Sequence, residues 1–159
     1  MLSQRTVDLL TRVLENPVFL SSLTSWFLAQ VLKSFIMLVR NRPQTAREIL
    51  ANLFWATGGM PSSHSAVVVS LATSAGFVEG PDSTLFLVTF FYAILTFRDA
   101  LGVRRAAGAQ AKVINQIIRL SPRIRAKIKP VKEINGHTLS EVFVGALLGF
   151  FIAAAFCTL

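Results

Sequence analysis

The chain has one cysteine, Cys157, and only two histidines among its 159 residues. A single cysteine excludes an intrachain disulfide framework and a multi-cysteine metal site. Acidic residues are scarce too, with 8 Asp and Glu against 16 Lys and Arg, a formal net charge of +8. Asp99, a single carboxylate set among Arg98, Arg104 and Arg105, is too little on its own to argue for Mg²⁺, so neither metal nor cofactor is expected. A secretory leader is not expected either. The first sixteen residues carry Arg5, Asp8, Arg12 and Glu15 and lack an apolar centre, so they read as a short amphipathic helix at a surface.

What the chain does have is apolar length. Hydrophobic residues make up 53% of it, 13 of them Phe, and the mean hydropathy is +0.58. That exceeds what a soluble domain of this size needs for a core. The apolar residues also fall in long blocks rather than amphipathic stripes, which points to a bilayer. Four segments are apolar enough to enter it: about Pro17 to Val39, Pro61 to Val78, Ser83 to Phe97 and Thr138 to Leu159. A perpendicular span needs about 20 residues, so the middle two are short. Glu79-Gly80-Pro81-Asp82 between them predicts a tight turn and a helical hairpin. Thr45-Ala46-Arg47-Glu48 is a capping box that predicts a short interfacial helix carrying Trp55. A further amphipathic helix is expected from about Gly102 to Leu120. The fold class is all-α: a polytopic membrane helical bundle of about four membrane-embedded helices plus interfacial helices. It forms one domain over residues 1–159.

Charge sets an expected orientation. Arg40, Arg42 and Arg47 crowd one loop, and the connection from Arg98 to Lys132 is basic throughout, whereas the hairpin turn and the C-terminal end carry no Lys or Arg. The positive-inside rule puts both basic loops in the cytoplasm and both chain ends outside. The segment ends bearing Lys33, Arg40, His64, Arg98 and His137 then share the cytoplasmic face.

Each histidine opens an apolar run. Pro61-Ser62-Ser63-His64 resembles a helix start, with serine to cap free N–H groups and Gly58-Gly59 to let the backbone come close to a ligand. A helix N-terminus favours phosphate, and a histidine in its first turn can protonate a leaving oxygen. An interfacial histidine bonded to a neighbouring loop is the plainer alternative. His137 and Glu141 are spaced i, i+4, so the carboxylate can hold one ring nitrogen and leave the other as a nucleophile. An ordinary interfacial pair would show the same spacing. Gly145 and Gly149 form a small-residue face for close helix packing. Lys33, taken alone, reads as a snorkelling lysine. The functional reading comes from the combination, since the cations share a face with both histidines.

Lys33-x6-Arg40 followed by Arg42-Pro43, then Pro61-Ser62-Ser63-His64, then Gly136-His137-x3-Glu141, resembles the three signature motifs of the phosphatidic acid phosphatase type 2 superfamily. Lipid phosphate phosphatases, bacterial acid phosphatases and vanadium-dependent haloperoxidases belong to it. The PSSHS block, the block from Asp99 to Ala111 and the GHTxxEV block are similar to its small divergent branch, and the resemblance runs from about residue 20 to the C-terminus. It implies that His137 attacks phosphorus and forms a phosphohistidine while His64 protonates the leaving alkoxide. It also implies that Lys33, Arg40 and the backbone of Pro61–His64, with Ser62 and Ser63, hold the phosphate oxygens. Glu141 stands where the superfamily usually has aspartate. Two positions depart from the pattern. Arg40 is followed by Asn41, leaving open whether Arg40 or Arg42 binds phosphate. Pro130 and Val131 replace the Ser-Arg that normally precedes the third-motif histidine, and Arg98, Arg104 and Arg105 are the candidates to substitute.

The reading is therefore a metal-independent phosphomonoesterase of a lipid phosphate, such as phosphatidylglycerophosphate, phosphatidic acid or an isoprenoid phosphate, in a bacterial inner membrane with its site facing the cytoplasm. Arg123-Ile124-Arg125-Ala126-Lys127-Ile128-Lys129 lacks the interleaved aromatics of a nucleic-acid arm, so no nucleic-acid partner is expected. That stretch suits anionic membrane lipids, each basic residue contributing about 1 kcal/mol. A homo-oligomer is open. The alternative is a non-catalytic membrane protein of the same fold that binds anionic lipid or a partner. A haloperoxidase is a distant third, since nothing indicates halide chemistry.

Overall fold

The structure is a computed structural model that describes residues 3–40, 59–121, 123, 128–131, 133 and 136–159. Among them every regular element is helical. Helix α1 (Gln4–Leu14) buries none of its residues, as an amphipathic surface helix would. Among the described residues six helices and one widened turn follow in order: α1, α2 (Pro17–Arg40), α3 (Ser63–Glu79), α4 (Thr84–Arg98), the π-helical turn Asp99–Val103, α5 (Arg104–Leu120) and α6 (Leu139–Thr158). Trp55 and the capping box at Thr45 lie outside the described residues.

Helix α3 is the centre, packing against α6, α2 and α4, while α2 also packs on α6. The interior is made of small residues, among them Ala29, Ala66, Ala75 and Ala153, with Ser21, Ser25, Ser70 and Ser74. Phe27, Phe35, Phe91, Phe143 and Phe151 point outward. A soluble bundle reverses that arrangement. In a bilayer, lipid covers the large side chains, and close packing of small ones holds the helices together. Among the described residues three helices are long and apolar enough to cross a membrane: α2, the continuous rod of α4 with α5, and α6. Helix α3, expected as a fourth span, has 17 residues and lies among the others.

Close approach is densest where α6 meets the start of α3. A Cβ on Gly145 would run into the Ser62 carbonyl, and one on Gly149 into the Ala66 carbonyl. At the far end, Gly80 closes α3 with φ 96°, and the Ser83 hydroxyl accepts the Phe86 N–H at 3.1 Å to start α4. The expected hairpin is therefore present. The expected amphipathic helix is present too, as α5, but no loop separates it from α4. The π turn joins them into one rod of 37 residues.

Candidate active site

The two histidine segments meet through the backbone. Ser62 donates its N–H to the Glu141 carbonyl at 3.0 Å, and glycine at 145, one turn after Glu141, leaves the room this contact requires. Ser62 is also the N-cap of α3, its hydroxyl accepting the Ser65 N–H at 3.3 Å and the Ser65 hydroxyl at 3.0 Å. Pro61 thus stands just before the cap rather than in the first turn. Ser62 is wholly buried, and Ser63 is 5% exposed. The Ser62 hydroxyl is committed to capping. The N–H groups of Ser63 and His64, in the first turn, have no intrahelical acceptor and are the donors that an anion would meet.

His137 lies outside α6, immediately before its N-cap Thr138. Its pairing with Glu141 therefore comes from the capping box, not from a shared helix face. Glu141 Oε2 accepts the Thr138 N–H at 3.1 Å and lies 3.0 Å from His137 Nδ1. A carboxylate can only accept, so Nδ1 carries the proton, and in the neutral imidazole Nε2 keeps its lone pair. His137 is 7% exposed, whereas His64 is exposed. The two ring centroids are 6.5 Å apart, with the planes tilted by 58°.

A third element holds His137 from behind. In the π turn the Arg104 N–H bonds to the Asp99 carbonyl, bypassing the Ala100 carbonyl that an α-helix would use. Ala100 O accepts the His137 N–H instead, at 3.2 Å. Gly136 lets this segment close on the rod, for a Cβ there would lie 2.5 Å from the Arg105 N and Cα. Farther along, Asn115 clasps the segment before the histidine: its side chain donates to the Val131 carbonyl at 2.9 Å and accepts the Val131 N–H at 2.8 Å.

The cations fall into distinct places. Lys33 is 2% exposed, so it does not snorkel. Its charge lies within Coulomb reach of Glu141 and His64. A buried lysine in a membrane helix marks a functional position by default. Arg104 also reaches His64 electrostatically, as does Asp99, and the two form an ion pair in which Arg104 Nε donates to Asp99 Oδ2 at 2.6 Å. Arg98 is exposed and is not one of the charges that act on His64. Arg105 lines a cavity of about 420 Å³ with Gly59, Gly108, Ala109, Lys112, Gly136 and Glu141. Arg40 ends α2; Arg42 lies outside the described residues, as does most of the basic stretch after Pro122, of which Arg123, Ile128 and Lys129 are exposed.

Among the described residues no three His, Cys, Asp or Glu side chains come together in a metal-ligand group. What the arrangement offers is a pair of imidazoles, one held by a carboxylate, beside a buried ammonium, a guanidinium and a helix N-terminus. Reading the sequence alone missed the π turn, Asn115 and Lys112. Lys112 had one available signal, its spacing of seven residues from Arg105 on the same helix.

No solved structure matches the chain. The uncharacterized membrane protein YuiD of Bacillus subtilis (strain 168) is 40% identical over 152 residues, covering 88% of this chain and 93% of that protein. With its apolar helices, this likeness makes the chain an integral membrane protein. A family model described as the Divergent PAP2 family matches residues 14–152, from the end of α1 well into α6 and across both histidine segments, and to that family the chain belongs.

Proposed function

We propose that the protein hydrolyses a lipid phosphomonoester through a phosphohistidine. The carrying observation is the approach of His64 to His137 at 6.5 Å, with His137 held by Glu141. One phosphoryl group fits between such rings with nitrogen about 3 Å from the atom it meets on either side. In the first step Nε2 of His137 attacks phosphorus. The bond to the leaving alkoxide breaks, and His64 gives that oxygen its proton. In the second step water attacks the phosphohistidine, His64 takes the water proton, the P–N bond breaks, and inorganic phosphate leaves. Lys33, Arg104 and the N–H groups of Ser63 and His64 stabilise the charge on the phosphate oxygens, the main demand of a reaction this slow without a catalyst. Arg104 supplies the guanidinium that Pro130 and Val131 do not, and Asp99 orients it.

The substrate reaches the site from the membrane, attracted with other anionic lipids by the basic surface around it. The charge pattern supports a site on the cytoplasmic side of a bacterial inner membrane. The alternative of a non-catalytic lipid-binding protein draws on Pro130 and Val131, since the Val131 backbone serves as a structural clasp for Asn115.

Purified protein in detergent, given a panel of lipid phosphates with chelator present, separates the two readings. The expected result is phosphate release that falls by about a thousandfold or more in His137→Ala and His64→Ala. Acid-quenched wild type should hold an acid-labile, base-stable phosphoryl group that His137→Ala lacks. No release from any lipid, or equal release by His137→Ala, would leave the non-catalytic reading.

A further inference from the structure

The cavity of about 420 Å³ beside the histidines has no part in the steps above. Its floor is one face of α5, made by Arg105, Gly108, Ala109 and Lys112, and Glu141 is the wall it shares with the histidine pair. Neither imidazole lines it. Arg105 and Lys112 are two helical turns apart, about 10 Å along the axis, with only small residues between them. Among the described residues neither forms a salt bridge. The two salt bridges among the described residues join Arg104 to Asp99 and His137 to Glu141, and the Glu133 carboxylate accepts from Asn115. The cavity is thus a recess with two cations at its floor that make no salt bridge among the described residues, large enough for a headgroup fragment.

We propose that this recess is a second anion subsite, taking a phosphodiester that lies a short polyol linker away from the phosphomonoester being hydrolysed. The proposal rests on the phosphomonoesterase reading and narrows its substrate to lipids whose headgroup carries both groups. Position excludes the other doubly charged option. Gly136, next to His137, packs against Arg105 at one end of the recess, and Lys112 lies two helical turns farther along α5, about 10 Å away. A second phosphate joined by one bridging oxygen falls short of Lys112, whereas one carried on a polyol linker reaches it. Arg105 offers a fork to two phosphate oxygens, and Lys112 adds a point charge two turns on.

Three lipids test this in detergent: phosphatidylglycerophosphate, with both groups; phosphatidic acid, with the monoester alone; and farnesyl diphosphate, with adjacent phosphates. Wild type should favour the first over the other two by about tenfold or more in kcat/KM, as one or two charge-assisted bonds provide. In Lys112→Gln and in Arg105→Gln/Lys112→Gln the ratio of the first lipid to phosphatidic acid should collapse toward one, through KM. An unchanged ratio in the variants, an equal loss on both lipids, or a wild-type preference for the diphosphate would overturn the subsite. Binding keeps the two proposals apart. In nanodiscs, His137→Ala should retain phosphatidylglycerophosphate in preference to phosphatidic acid, and Lys112→Gln added to it should abolish the preference. If no lipid is hydrolysed yet that preference holds, the phosphatase reading fails and the subsite stands; equal binding of both lipids sinks the subsite.

Discussion

Glu141 joins three pieces of the molecule with two atoms. Its Oε2 accepts from both the His137 ring and the Thr138 N–H, and its carbonyl accepts from Ser62. Helix capping and imidazole orientation are therefore one interaction, and a substitution can separate them. Glu141→Gln keeps an oxygen to cap the helix but removes the charge that supports His137 as it becomes positively substituted. We expect phosphate release to fall about ten-thousandfold, as when an orienting carboxylate is neutralised in a hydrolase triad. The stability loss should stay within the range of about 0.5–2 kcal/mol for an impaired cap. Phosphate release and thermal unfolding, measured on the same preparation, check both halves; activity within a few fold of wild type would show that the carboxylate is only a cap. The spacing of His137 and Glu141 in the sequence pointed to this pair, although through a shared helix face. The capping signature in Thr138-Leu139-Ser140-Glu141 was equally visible, and it is what sets the geometry.

Helix α6 reaches α3 through glycine, and the site exists because that contact is so close. Gly145→Ala would force its methyl against the Ser62 carbonyl, a backbone atom with no freedom to swing aside. It should cost about 1–3 kcal/mol, as overpacking does, and it should weaken the Ser62–Glu141 bond that aligns the two histidines. Gly102→Ala is the control, since a methyl there meets nothing within 4 Å, and helix propensity favours it by up to about 1 kcal/mol. Unfolding temperatures in detergent should therefore move in opposite directions, and a larger loss for Gly102→Ala would refute this account of the packing. Such local patterns explain what was legible beforehand. Small residues four apart, the hairpin at Gly80 and the serine cap at Ser62 each leave a short-range signature. The π turn does not, for what matters at Asp99–Val103 is which carbonyl is released, and its acceptor role depends on His137, far along the chain. The same holds for Asn115, whose partner Val131 is sixteen residues away in a segment without periodicity.

At the scale of the whole molecule, the rod from Thr84 to Leu120 decides where the histidine pair sits relative to the membrane. Its 37 residues span about 55 Å at 1.5 Å per residue, against a hydrocarbon core of about 30 Å. The apolar half, α4, fits the core, so α5 with Arg104, Arg105 and Lys112 belongs at or beyond the headgroups. The histidines are tied to its first turns through Ala100 and Gly136, which fixes the site at one membrane surface, within reach of a lipid headgroup whose tails stay in the bilayer. Which surface it is follows from charge alone. The site end of the bundle carries Lys33, Arg98, Arg104 and Arg105, whereas the turn from Gly80 to Ser83 at the other end has Asp82 and no cation. We therefore expect positive-inside sorting to direct α5 to the cytoplasm and that turn outward. Single cysteines test this in a Cys157→Ser background, one as Ala107→Cys on the exposed side of α5 and one as Asp82→Cys in the exposed turn. A membrane-impermeant maleimide should label position 82 in intact cells and position 107 only after permeabilisation. The reverse pattern would move the site to the outer surface. Its substrate would then have to be a lipid phosphate presented there, while the histidine chemistry, being set by contacts within the bundle, would stand unchanged.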